Sequence, residues 1–185
     1  MNRRLLLQTL GAALLLRAGT APAKSTANAK TPSVDELQRN WKKLLADNAR
    51  VATSATPIVK SDDEWRKELD PHAYDVLRHE GTEYPFSSPL NDEHRPGVFV
   101  CAGCALPLFT SAMKFDSGTG WPSYFTTIPG AFATKVDHKL MLPRTEYHCA
   151  KCGGHHGHIF DDGPAPTGLR YCNNGVALSF IPAQV

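Results

Sequence analysis

Cys149-Ala150-Lys151-Cys152-Gly153-Gly154-His155-His156-Gly157-His158-Ile159-Phe160-Asp161-Asp162-Gly163-Pro164 carries the signals that decide the fold of this chain. A C-x-x-C turn offers two thiols. A short run ending Gly157 to Phe160 reads as a strand, and Asp161-Asp162-Gly163-Pro164 closes it as a turn. The same grammar holds from Val98 onward. Short runs rich in Val, Phe, Tyr, Thr and Ile alternate with Gly, Pro, Asp and Asn, placing strands at 98–101, 106–109, 123–127, 131–136, 138–142, 145–149, 157–160, 168–173 and 176–181. The pattern predicts a mainly β domain of short antiparallel strands.

A second C-x-x-C, Cys101-Ala102-Gly103-Cys104, precedes the first by 44 residues. Two such turns supply four thiolates, the coordination number of a structural Zn²⁺ with no open position. Disulfides are the competing reading, since the chain carries five cysteines and one thiol is left over on any pairing. The spacing favours one zinc held by Cys101, Cys104, Cys149 and Cys152.

The fifth cysteine, Cys172, stands in Leu169-Arg170-Tyr171-Cys172-Asn173-Asn174. Strand alternation puts Arg170, Cys172 and Asn174 on one face. A cation two residues before a thiol favours thiolate, and an amide two after it can donate a hydrogen bond. The local pattern suits a nucleophile and equally a buried core cysteine. His155, His156 and His158 suit a metal site, a proton-transfer site or a solvated loop. Alternation would pair His156 with His158 and leave His155 in the turn. Trp121, in Gly118-Thr119-Gly120-Trp121-Pro122-Ser123, reads as a pocket wall or a core anchor.

The N-terminus differs in kind. Met1 to Arg4 is basic, Leu5 to Leu16 apolar, and Ala21-Pro22-Ala23 resembles a cleavage site, so residues 1–23 read as an export signal. Arg3-Arg4 before Leu5-Leu6-Leu7 resembles a twin-arginine leader, which predicts a periplasmic address. Of the chain's 20 basic residues the signal holds Arg3, Arg4 and Arg17, and it holds none of the 18 acidic ones, so the remainder carries a net charge of −1. No basic stripe points to nucleic acid, and no membrane span is expected after cleavage. Residues 24–60 read as a linker and an amphipathic extension. Ser33-Val34-Asp35-Glu36 is a capping box opening a helix to about Asp47. Ser61 to Glu64 repeats the box for a helix through Leu69, and Asp70-Pro71 opens a third that stops at Gly81.

Taken together, these motifs resemble the B-type methionine sulfoxide reductases. The match runs from Ser61-Asp62-Asp63-Glu64-Trp65 through C-A-G-C, Phe115 to Ser123, Cys149 to Pro164 and Arg170 to Phe180. The resemblance implies two antiparallel sheets with short N-terminal helices over residues 61–185, one structural zinc, and reduction of methionine-R-sulfoxide in proteins. It implies that Cys172 is the nucleophile and that Trp121 holds the substrate's methyl group. His155 and His158 would line the pocket with Asp162 as acidic neighbour, Arg170 and Asn174 would flank the thiol, and Phe180 would close the last strand as a substrate contact. Its partners would be oxidised proteins and a thioredoxin-like or other thiol donor, acting on a monomer. Three departures stand out. Thr119 occupies the place where many members carry a second, resolving cysteine. Asn173 replaces a usually apolar residue, and His156 replaces a usual Leu. A zinc-ribbon interaction module and a metal hydrolase built on the three histidines are the rival functions.

Overall fold

The computed structural model describes residues 32–184. The expected export signal, 1–23, lies outside them, as do residues 24–31 of the expected linker.

Three short helices come first among the described residues. Ser33 caps α1 (Val34–Arg39), its hydroxyl accepting from the Glu36 amide while the Glu36 carboxylate reaches back, and a 3-10 segment, Asn40–Leu44, continues it. The expected single helix to Asp47 therefore tightens after one and a half turns. The tightening swings Trp41, Leu44 and Leu45 onto the core alongside Leu37. Residues 45–60 are irregular but not a free linker. The Ala52 amide donates to the Ala105 carbonyl, the Ile58 amide donates to the Lys151 carbonyl, and the Gln38 side chain donates to Thr126. The extension and the β domain share one core.

Ser61 caps α2 (Asp62–Glu68) with a second full capping box, and Asp70 caps α3 (Pro71–His79) with Pro at N1. Glu80, not Gly81, takes the left-handed position that ends α3, with φ 57°. Trp65 is buried beneath these helices, with Arg78 lying over its ring at 5.0 Å. Loss of a side chain of that size from a packed core costs about 3–5 kcal/mol.

Among the described residues nine strands form two antiparallel sheets. The smaller has the order β2-β1-β9, from β1 (Gly97–Cys101), β2 (Pro107–Thr110) and β9 (Leu178–Pro182). The larger has the order β3-β4-β8-β7-β6-β5, from β3 (Lys114–Phe115), β4 (Ser123–Tyr124), β5 (Phe132–Asp137), β6 (Arg144–Cys149), β7 (His155–Phe160) and β8 (Arg170–Asn173). The main core includes Phe99, Phe109 and Tyr124, with Phe109 stacked on Tyr124 at 3.8 Å. The run 138–142 is not a strand. It is the tip of the β5–β6 hairpin, where Leu140, Met141 and Leu142 are exposed and face no sheet.

Candidate active site

β6 and β7 pair with a bulge. Glu146 faces His158 and Tyr147 faces Gly157, but His148 then faces His155, leaving His156 as the extra residue. The bulge breaks alternation. His155 and His158 come to one face with ring centroids 5.5 Å apart, while His156 turns into the core between Phe132 and Tyr147. This corrects the expected pairing of His156 with His158, and the three imidazoles do not converge. Gly157 lets β8 lie flush against the bulged strand, because a Cβ there would sit 1.9 Å from the Cys172 carbonyl oxygen.

β8 carries Cys172 opposite His158 in register. The sulfur opens on a cavity of about 140 Å³ lined by Trp121, His158, Phe160, Arg144 and Thr82, together with Asn173 and Asn174. The Trp121 indole is fixed from outside: its Nε1 donates to the Glu83 carbonyl at 3.2 Å. Gly120, with φ 90°, brings its carbonyl to the Phe86 amide at 2.7 Å, a closeness that a Cβ would block. Glu83 also accepts from the Gly175 and Val176 amides, and its own amide donates to the Asn174 side chain. The loop before Tyr84 thus locks the tryptophan to the segment that follows Cys172.

Burial pushes the Cys172 thiol above the ordinary range, and the Arg170 charge and the Thr119 hydroxyl only partly offset it. Arg170 favours the thiolate as expected, but burial outweighs it. The Arg170 guanidinium also holds Asp162 through two hydrogen bonds, of 2.8 and 2.9 Å.

His158, which lines the cavity, and His155, which does not, each lie near a carboxylate of the β5–β6 hairpin. His158 Nε2 lies 2.7 Å from Asp137 Oδ2, and Asp137 is held in turn by Arg144 and by the Lys139 amide. That amide, His158 and Arg144 keep the Asp137 carboxyl ionised, well below the usual carboxylate range. Burial lowers the His158 imidazole, and Asp137 opposes the shift. His155 Nδ1 lies 3.0 Å from Glu146 Oε1, and Glu146 Oε2 lies 3.1 Å from Lys135 Nζ. His156 makes a third, separate set. Its Nδ1 is 3.2 Å from Asn173 Oδ1, which also accepts from the Tyr147 hydroxyl at 2.9 Å, and burial pushes its imidazole down to about 4. The two departures noted in the sequence, His156 and Asn173, are thus a single contact in space.

The other four thiols gather on the opposite side of the bulge. Cys101, Cys104, Cys149 and Cys152 place their sulfurs within 4.8 Å of one another, with 3.6 Å from Cys101 to Cys152 and 3.5 Å from Cys104 to Cys149. A tetrahedral ion with bonds of about 2.3 Å to sulfur would need edges of about 3.8 Å, so the cluster is close enough to hold a metal ion.

Sequence reasoning placed Cys172, Trp121, His158 and Asn174 on the cavity wall, whereas Arg170, His155 and Asp162, expected there too, are not among the residues that line it. It misplaced Phe180, which lies on β9 of the smaller sheet, 4.9 Å from the Phe99 ring and beneath Arg95, and does not line the cavity. It missed Asp137, Glu146, Arg144, Glu83 and Thr82. Only the placement of Asp137 on β5 and Glu146 on β6 beside the histidines of β7 distinguishes those carboxylates from ordinary surface acids.

Comparison with known proteins adds family evidence to this geometry. The SelR domain matches residues 69–182. The peptide methionine sulfoxide reductase MsrB of Agrobacterium fabrum is 52% identical over 126 residues, 68% of this chain and 93% of that protein. The protein of the same name from Bradyrhizobium diazoefficiens is 50% identical over 139 residues, 73% of this chain and 98% of its own length. The one from Methanosarcina barkeri is 49% identical over 124 residues, 66% of this chain and 87% of that protein.

Proposed function

Because this chain belongs to the B-type methionine sulfoxide reductases, the family of the SelR domain, we propose that Cys172 is the nucleophile of its reaction and His158 the acid. The reaction is reduction of methionine-R-sulfoxide, with a thiol as the source of electrons. One observation carries the assignment: four of the five thiols are clustered together, and the fifth alone opens on a cavity beside an anchored tryptophan and an imidazole.

The substrate's methyl group rests on the Trp121 indole, and its oxygen points toward His158. The Cys172 thiolate attacks the sulfoxide sulfur while His158 protonates the oxygen. Sulfur leaves as the methionine thioether, and the oxygen ends on Cys172 as a sulfenic acid. Asp137 orients His158, and His155, beside Glu146, meets the His158 ring edge-on. Arg170, steadied by Asp162, offsets part of the cost of forming a buried thiolate. Asn174 acts through the scaffold: its side chain donates to the His156 carbonyl and accepts from the Glu83 amide. With Thr119 beside the sulfur and four cysteines committed elsewhere, no resolving thiol is at hand. Two external thiols, from a thioredoxin-like donor, reduce the sulfenic acid directly.

The four clustered cysteines would hold zinc, which would brace the two knuckles and take no part in the reaction. The leader at 1–23 directs the protein to the periplasm, where it repairs oxidised envelope proteins; recovery of the full-length chain in the cytoplasm alone would contradict that address.

The test is an assay of wild type and Cys172→Ser on the separate R and S epimers of a dabsylated methionine sulfoxide with dithiothreitol. Wild type reduces R and leaves S. The variant reduces neither and keeps its metal. Residual R turnover in Cys172→Ser, or loss of its metal, overturns the assignment.

A further inference from the structure

Met141 sits at the tip of the β5–β6 hairpin and is 101% exposed, flanked by Leu140 at 59% and Leu142 at 78%. Met113 is fully buried, and Met1 lies outside the described residues. A thioether this open meets dissolved peroxide first. Its sulfur takes one oxygen, the peroxide leaves as water, and a sulfoxide forms in both epimers because both faces of the sulfur are free. Full exposure also means that Met141 touches nothing of its own chain, including the cavity of Cys172. Yet it presents what that cavity is shaped for: a methionine side chain on a protruding loop with apolar neighbours on either side. The base of the same hairpin supplies Asp137 and Arg144, which border the cavity histidine.

We propose that Met141 is itself a substrate, its R-sulfoxide being reduced by Cys172 of a second copy of the chain. The proposal rests on the assignment of Cys172 as nucleophile. The second copy's thiolate forms a bond to the sulfoxide sulfur, and the oxygen passes with a proton to that cysteine as sulfenic acid. Met141 is released as thioether. Two thiols of the reductant then convert the sulfenic acid to thiol and water and leave as their disulfide.

The test separates substrate copy from catalyst copy. Full-length Cys172→Ser protein is treated with hydrogen peroxide, freed of it, and mixed with a small amount of untreated wild type and dithiothreitol. Peptide masses then follow Met141 and Met113, and N-acetylmethionine-R-sulfoxide is reduced in a parallel tube. Peroxide should add one oxygen at Met141 and leave Met113 unmodified. Wild type should then remove the oxygen from about half of the Met141 population, since the S epimer is not a substrate, at a rate proportional to wild-type concentration. Without wild type nothing should revert. Reduction of the small substrate with Met141 sulfoxide left intact overturns the inference alone. Failure on both overturns the assignment of Cys172 as well. Equal oxidation of Met113 removes the premise of selective exposure and overturns the inference.

Discussion

The molecule holds two sulfur sites on either side of one bulged strand, and they are built by opposite means. At the knuckles, four thiols crowd within 4.8 Å and are largely buried, close enough to hold a metal ion between them. At the cavity, one thiol stands alone beside open volume, with every neighbour tied down by something else: Trp121 by Glu83, His158 by Asp137, Arg170 by Asp162. On the proposed assignment the first site uses sulfur as a brace, and the second keeps it free as a reagent. The contrast teaches that the number of competing partners, not the residue type, sets what a cysteine does.

The contrast breaks most visibly when the two kinds of cysteine are exchanged in role. Cys172→Ser should lower kcat to less than about 10⁻³ of wild type while thermal unfolding and metal content stay unchanged. Cys101→Ser should do the reverse in kind. It should weaken metal binding and lower stability by several kcal/mol, because ligand binding and folding are linked, as read by metal analysis and calorimetry.

Next comes the pocket wall. Trp121→Ala should reduce kcat/KM by about tenfold or more, chiefly through KM. The variant loses the burial of a methyl group, worth about 0.8 kcal/mol, and the positioning that goes with it. A pure kcat effect would place Trp121 away from the substrate.

The pH profile sharpens the reagent side of the comparison. On the proposed assignment, attack needs Cys172 as thiolate and His158 as imidazolium in the free enzyme. Burial raises the thiol and lowers the imidazole. Thiolate grows with pH up to the raised thiol, and imidazolium shrinks above the lowered histidine, so their product stays level between the two. The kcat/KM profile should therefore be a broad plateau. It should fall on the acid side below the ordinary histidine range and on the alkaline side above the ordinary thiol range. Asp137→Asn removes a partner that favours imidazolium. It should lower the plateau by about tenfold and move the acid edge to lower pH.

The smallest effect is expected behind the strand. Asn173→Val strands the buried Tyr147 hydroxyl and His156 Nδ1, and should cost about 1–3 kcal/mol in denaturant unfolding with little change in KM.

How much of this could be read in the sequence follows from how local each feature is. Ser33, Ser61 and Asp70 announce helix starts because the capping partner lies within three residues. The knuckles and Cys172 announce themselves by spacing. The bulge could not be read, because it is a property of β6 and β7 together: neither strand alone says that Tyr147 faces Gly157 while His148 faces His155. The same holds for Asp137 and Glu146, which meet the histidines only across the ladder. The tip at 138–142 has the composition of a strand and lacks only a partner. The raised thiol was hidden because it comes from the burial of Cys172, which only the packed sheet creates.

The division between brace and reagent is tested most directly by a single turnover in the absence of reductant. Metal-loaded protein mixed with excess methionine-R-sulfoxide should release one methionine per chain and then stop. The whole chain should gain one oxygen at Cys172, with the metal retained. Release of more than one methionine, a disulfide between any two of the five cysteines, or loss of the metal with the first turnover would contradict the account.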